Sequence, residues 1–299
     1  MKCLVPTLAG LAVAASCFLL DAAAQNSESN LLKVAAVQMR SSRDLAENVA
    51  HIKRSLRHCA AQGARVVVFP ECALSGYFAD VVTNLTTAQI SGAEDEVGAT
   101  CRELRIYAVV GSPYREDGDK LLNSATVFAP DGTILERYHK IHLAEAWPKP
   151  GDHLSVFKVD GVLCSIIICH DERYPELVRL PVLAGAKVVF YVSHESGLHK
   201  ESKIQPYRAQ IQARAEENNV FIVHANAPAN PDATGSHGQS RIIGPDGNVL
   251  QEASIFDEDE LVATLDLVKA TRQNARRSLT DGPLQDWWKE GLKHVRLVQ

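Results

Sequence analysis

Apolar positions along the chain follow two rhythms. From Leu31 to Gln38 they form a short, nearly continuous run, while Leu45, Val49, Ile52, Leu56 and Cys59 recur at alternating spacings of four and three, with Glu47, Lys53, Arg54 and Arg57 off that stripe. The first run predicts a strand and the second an amphipathic helix. Arg65 to Phe69 carries the unbroken Val66-Val67-Val68-Phe69 and stops at Pro70, the pattern of a strand buried on both faces. A βαβ unit therefore opens the domain.

Further along, Asp131-Gly132, Asp246-Gly247 and Asp160-Gly161 sit between β-rich runs and predict hairpins. Val162 to Cys169, centred on Ile166-Ile167-Ile168, reads as a second strand buried on both faces. A helix should start at Pro175, which suits a first helical position, and run toward Gly185, with Pro181 kinking or shortening it. Lys187 to Ser193 predicts a strand, Gln205 to Asn218 a helix and Asn219 to Ala225 another strand. No repeat or linker interrupts them, so the pattern gives one α/β domain from about residue 25 to the end, with helices covering a mixed sheet or a pair of sheets. The last stretch, about 268–299 with Trp287-Trp288, reads as a C-terminal arm for association.

The first 24 residues read as an address. Lys2 precedes an apolar run from Leu8 to Leu20, and Ala22-Ala23-Ala24 supplies small residues at a cleavage point before Gln25. A membrane anchor fits less well, because the run is shorter than the ~20 residues of a spanning helix. A lipoprotein signal ending at Cys17 fits less well too, since the apolar run continues past it. The expectation is an exported protein, periplasmic or secreted, with no membrane span after cleavage.

Composition narrows the task. With 46% hydrophobic and 22% charged residues the chain is globular, and 31 basic against 36 acidic residues give a net charge of −5. Nothing there calls for a nucleic-acid partner. Export makes the cysteines informative: Cys3 and Cys17 leave with the signal, and Cys59, Cys72, Cys101, Cys164 and Cys169 cannot all pair among themselves. Cys164 and Cys169 are an odd number of positions apart on one strand, which points them to opposite faces and argues against their pairing.

In α/β folds functional groups gather past the carboxyl ends of strands. Three residues stand there: Glu71 after Pro70, Lys140 within His139-Lys140-Ile141-His142-Leu143, and Cys169 ahead of His170-Asp171. Each alone has an ordinary explanation: a solvated Glu, a waving Lys, a core Cys. Together a thiol, a carboxylate and an ammonium supply the nucleophile, proton shuttle and charge partner that thioester-mediated cleavage of a carbon–nitrogen bond requires.

Three strings in order, Phe69-Pro70-Glu71-Cys72-Ala73-Leu74-Ser75-Gly76-Tyr77, His139 to Leu143, and Cys169-His170-Asp171-Glu172-Arg173-Tyr174-Pro175-Glu176, resemble the nitrilase superfamily of carbon–nitrogen hydrolases, in its amidase and carbamoylase-like branch. The likeness spans about 31–267 and includes Ala213 to Asn218, Asn226, Gly238-Gln239-Ser240-Arg241 and Pro245-Asp246-Gly247. It implies a four-layer α-β-β-α sandwich, a Glu71, Lys140, Cys169 triad, and the backbone N–H of His170 in the oxyanion site. It implies a second glutamate, Glu145, before the Pro150-Gly151-Asp152 turn, and association into a homodimer or larger homo-oligomer. Arg173 either holds a substrate carboxylate, as in relatives acting on N-carbamoyl amino acids, or pairs with Asp171 or Glu176 to fix its loop. Glu176 itself reads as structural, a carboxylate in a first helical turn. His194, after the strand ending at Ser193, is either a pocket residue or a packed histidine.

No cofactor is implied. Eleven histidines occur without H-E-x-x-H or C-x-x-C spacing, and no G-x-S-x-G, G-x-G-x-x-G or phosphate-loop signature is found. The expected substrate is a small amide or N-carbamoyl compound. Nitrile hydrolysis by the same triad, and an exported binding protein that keeps the fold without activity, are the alternatives; acyl transfer to lipoproteins fits poorly because that branch spans membranes. N-terminal sequencing of protein from its native source is expected to begin at Gln25, and soluble protein beginning at Met1 would overturn the cleavage reading.

Overall fold

In the computed structural model, which describes residues 30–116, 120–199 and 204–281, the chain forms two six-stranded sheets packed face to face with helices outside each. The first sheet has the order β12-β1-β2-β3-β4-β5, from β1 (Leu31–Gln38), β2 (Val66–Val68), β3 (Tyr107–Glu116), β4 (Lys120–Phe128), β5 (Ile134–His139) and β12 (Asp259–Asp266). The second has the order β11-β10-β9-β8-β7-β6, from β6 (Val156–Val159), β7 (Val162–Ile168), β8 (Val188–Val192), β9 (Phe221–Ala225), β10 (Arg241–Ile243) and β11 (Val249–Glu252). In each sheet the three central strands, β1-β2-β3 and β7-β8-β9, run parallel and the flanking strands antiparallel.

Strand alternation explains the layering. In β2, Val66 and Val68 face the space between the sheets, while Val67 faces outward into a second core. In β7, Cys164, Ile166 and Ile168 join the inter-sheet core and Ile167 faces outward. Helices α1 (Leu45–Ala61) and α3 (Thr87–Leu104) close the outer face of the first sheet through Val49, Ile52, Leu56, Ala93, Val97 and Cys101. On the second sheet the cover is α4 (Pro175–Leu183), α5 (Ile204–Glu216) and α6 (Gln273–Thr280), with Leu177, Val182, Ile211 and Ala275 buried. The result is the four-layer α-β-β-α sandwich.

The predicted elements fall where the pattern placed them, within a few residues. All three Asp-Gly pairs turn hairpins, β4-β5, β6-β7 and β10-β11. Helix α4 starts at Pro175 and runs through Pro181 to Leu183, because the proline falls in its last turn, where Ala184 N–H still reaches the Leu180 carbonyl at 3.0 Å. The pattern assigned no helix to 79–104, where the structure has a short α2 (Ala79–Asn84) and the long α3. Helix α3 begins in a reciprocal cap: Gln89 N–H reaches Thr86 Oγ1 and the Gln89 side chain accepts from Thr86 N–H.

The strand-parity argument for Cys164 and Cys169 needs correction. Strand β7 ends at Ile168 and Cys169 starts a 3₁₀ turn, Cys169–Arg173, so alternation does not reach the second thiol. All five described cysteines are free. The proposed signal segment and the Trp287-Trp288 end of the arm lie outside the described residues. The first part of the arm folds back on the domain: Asn274 N–H donates to Asn219 Oδ1 at 2.8 Å and Ala275 is buried. Among the described residues no helix is long and apolar enough to cross a membrane.

Close backbone approach sets the position of the chain after β2. A Cβ on Gly111 of β3 would stand 2.2 Å from the Pro70 carbonyl oxygen and 2.5 Å from the Cys72 nitrogen, so only glycine lets these segments pass. Gly111→Ala is expected to destabilise the fold by about 1–3 kcal/mol, as overpacking of a tight interior does. Thermal unfolding checks this, and an unchanged Tm would refute the close approach.

Candidate active site

Four segments bring their ends to one place. Glu71 follows β2 and is tied to the other sheet by its own N–H, which donates to the Ser193 carbonyl at 3.1 Å just past β8. Lys140 follows β5; its N–H donates to the Asn123 carbonyl and its carbonyl accepts from Gly151 N–H, both at 2.8 Å. A Cβ on Gly151 would lie 2.3 Å from the His139 carbonyl oxygen, so the Pro150-Gly151-Asp152 turn presses directly on the Lys140 segment. Cys169 opens the 3₁₀ turn after β7 with φ of +43°, a left-handed conformation that a side chain rarely adopts. Asp171 binds that turn to the Lys140 segment: its oxygens accept from Ile168 N–H at 3.1 Å, His142 N–H at 2.8 Å and Tyr138 OH at 2.8 Å.

The Lys140 side chain is fully buried. Its Nζ donates to Glu71 Oε1 at 2.7 Å and to Glu145 Oε1 at 2.6 Å. Asn123 Nδ2 donates to the same Glu71 oxygen at 2.7 Å, and His194 N–H donates to Glu71 Oε2 at 3.0 Å. Glu145 also accepts from Tyr77 OH and from Ala144 N–H. One ammonium thus sits between two carboxylates, and the two are not equivalent. Burial, reinforced by Glu145 and opposed by Lys140, pushes Glu71 up to about 7. Burial acts on Glu145 in the same sense, but Lys140 and the Tyr77 hydroxyl outweigh it and bring its carboxyl down to about 2. Burial works against the Lys140 charge, yet Glu71, Cys169 and Glu145 together hold it firmly protonated.

Above this cluster lies a cavity of about 520 Å³, whose lining includes Cys169, His170, Glu172, Arg173, His194 and Glu195. Cys169 Sγ lies 3.7 Å from the His194 carbonyl oxygen. Burial and the Glu71 carboxylate push the Cys169 thiol up, with Lys140 opposing, so at rest the sulfur keeps its proton. Tyr77, which donates to Glu145, and His194, whose N–H donates to Glu71, stack their rings with centroids 4.4 Å apart. Burial and Lys140 lower the His194 imidazole to about 4, leaving it neutral. His170, half-buried, is lowered by burial and by Arg173.

The structure thus brings Glu71, Lys140, Glu145 and Cys169 together and sets His170, Arg173 and His194 on the same cavity. Arg173 donates to Tyr207 OH at 3.0 Å and lies over that ring. Among the described residues it makes no ion pair with Asp171 or Glu176, and Asp171 is engaged by Tyr138, His142 and Ile168. Sequence reasoning did not single out Asn123, a polar residue within the apolar strand β4, or Tyr77, which stands inside a quoted string. Nor did it find the buried group behind the cavity: Tyr191 OH reaches Glu172 Oε2 at 2.8 Å and Glu195 Oε1 at 2.9 Å, and His237 pairs with Glu195 at 2.6 Å. Among the described residues no three His, Cys, Asp or Glu side chains cluster as a metal site requires.

The family model described as carbon-nitrogen hydrolase matches residues 33–275. Omega-amidase NIT2 of Danio rerio is 31% identical over 251 residues, covering 79% of this chain and 88% of that protein. A hydrolase in the agr operon of Staphylococcus lugdunensis is 27% identical over 215 residues, covering 70% of this chain and 90% of its own. An amidase from Nesterenkonia sp. has the same fold, with a TM-score of 0.74, 24% identity, and coverage of 86% of this chain and 96% of that one.

Proposed function

The chain belongs to the carbon-nitrogen hydrolase family, and on that premise we propose that it hydrolyses a linear amide or N-carbamoyl compound through a thioester on Cys169. The observation that carries this reading is the buried Lys140 ammonium held by Glu71 at 2.7 Å and Glu145 at 2.6 Å beneath a cavity lined by Cys169. The amidase activity named for the similar proteins accords with it.

In this mechanism Glu71 takes the Cys169 proton as sulfur attacks the carbonyl carbon. A thiol held protonated at rest needs a base whose affinity for the proton is near neutral, and Glu71 at about 7 meets that need. Lys140 and the His170 N–H stabilise the negative oxygen of the tetrahedral adduct. Glu71 then gives its proton to the departing nitrogen, the carbon–nitrogen bond breaks, and a thioester remains. Water attacks that thioester with Glu71 again accepting a proton, the acid leaves, and the thiol is restored. Glu145 keeps Lys140 oriented and charged. Arg173 holds a carboxylate on the substrate, and His194 shapes the cavity through its contact with Tyr77.

Assay of amides and N-carbamoyl compounds tests the reading. Cys169→Ala should abolish turnover with little change in Tm, because it removes the nucleophile and little volume. The base must be ionised, so kcat/KM should fall as pH drops through about 7. Full turnover by Cys169→Ala, or a flat profile across neutral pH, would overturn it. Arg173→Ala should raise KM for an anionic amide more than for its neutral analogue, by the ~1.5–3 kcal/mol of a charged hydrogen bond. Equal losses on both, with a lowered Tm, would instead give Arg173 a structural part.

A further inference from the structure

Glu172 sits three residues beyond Cys169 on the same 3₁₀ turn. Three residues of such a turn rise by about 6 Å. Cys169 and Glu172 both line the cavity, so a ligand with its carbonyl at the sulfur shares one cavity with this carboxylate.

Glu172 is only 1% exposed, and its hydrogen bonding is incomplete. Oε2 accepts from Tyr191 OH at 2.8 Å, but the same hydroxyl lies 2.9 Å from Glu195 Oε1 and 3.2 Å from the Cys169 carbonyl oxygen. One hydroxyl hydrogen faces three acceptors. Among the described residues Oε1 accepts no hydrogen bond, and no cation pairs with the Glu172 carboxylate. Glu195, by contrast, is matched by His237 at 2.6 Å, whose other ring nitrogen faces the Ser196 carbonyl at 2.9 Å. The same buried group holds the Arg241 guanidinium, whose Nη1 and Nη2 have no hydrogen-bond partner, but among the described residues none of its nitrogens bonds Glu172, so an unmet acceptor on a cavity-lining residue remains. A buried carboxylate without donors is costly to keep ionised, and a donor-rich cation is the chemistry that completes it.

We propose that Glu172 is a specificity-determining residue that receives a protonated amine of the substrate, so that this protein acts on amides whose acyl chain carries an ammonium about three carbons from the amide carbon. This rests on the amidase reading for the reaction, though the subsite itself can be measured without turnover. A chain of that length spans the ~6 Å between successive positions on the turn. Arg173, the next residue, brings a positive charge to the same cavity wall, so a substrate bearing both an ammonium and a carboxylate meets opposite charges side by side.

The test uses two amides of equal shape, 4-aminobutanamide and pentanamide, in which a methyl replaces the ammonium. Calorimetry on Cys169→Ala protein is expected to show at least about tenfold tighter binding of 4-aminobutanamide, as a charge-assisted hydrogen bond provides. Adding Glu172→Gln, which keeps the shape, should remove that preference, and Glu172→Asp should restore part of it. If Glu172 only steadies Tyr191 and the turn, both amides lose affinity alike. Equal affinities before substitution, no binding of either amide, or equal losses after substitution would overturn the proposal. The amidase reading fails separately: if the preference is present but the intact enzyme turns over neither compound nor any other amide, the subsite stands and the reaction does not.

Discussion

A fully buried ammonium with two carboxylates for partners is the constraint from which the rest follows. Lys140 has no contact with water, so removing its partners would leave an uncompensated interior charge, a change that costs several kcal/mol. Two carboxylates exceed what one ammonium neutralises, and the structure resolves the excess unequally. Glu145 collects the Tyr77 hydroxyl, a backbone N–H and Lys140, and stays ionised. Glu71, deeper and with Glu145 beside it, is pushed toward neutral proton affinity. Two groups of one residue type are thus driven apart in pKa, one toward neutral and one held ionised.

The double-sheet architecture is what makes this crowding possible. Glu71 leaves one sheet and Cys169 the other, and the sheets are tied there by Glu71 N–H to Ser193 and by the Asp171 carboxylate to His142 N–H and Tyr138 OH. Each tie is a buried hydrogen bond whose loss would strand a polar group. The left-handed backbone at Cys169 is the local cost of turning sharply at a strand end, and the surrounding ties hold it there.

How much was legible in the sequence depended on contrast. Helix α1 has a full stripe of large apolar residues against charges and was readable to within a few positions. Helix α3 buries Ala93, Val97, Gly98 and Cys101, small groups that fit because the Gly98 surface meets the Gly132 backbone, and small residues give a faint period. Glu71, Lys140 and Cys169 were legible because each ends a recognisable strand and lies in a distinctive string. Glu172 and Glu195 were not, since a glutamate next to a loop motif looks solvated until the strand carrying Tyr191 is seen behind it. Asn123 was hidden for a related reason: its partner Glu71 is 52 positions away in the chain.

The Lys140 cluster and the group behind the cavity solve one electrostatic problem in two ways. Around Lys140 each charge has a fixed partner: Glu71 and Glu145 hold the ammonium, and Asn123, the His194 N–H and Tyr77 hold those carboxylates. Around Tyr191 the balance is left open on the cavity side: Glu195 has His237, while Glu172 has part of one hydroxyl. Burial pushes the Glu172 carboxyl well up, with Glu195 reinforcing it and Arg173 and Arg241 opposing. Two kinds of carboxylate thus stand at one cavity, one held by an ammonium and one short of donors. The Lys140 charge is held by fixed partners on every side, whereas the Glu172 carboxylate shares one hydroxyl hydrogen with two other acceptors.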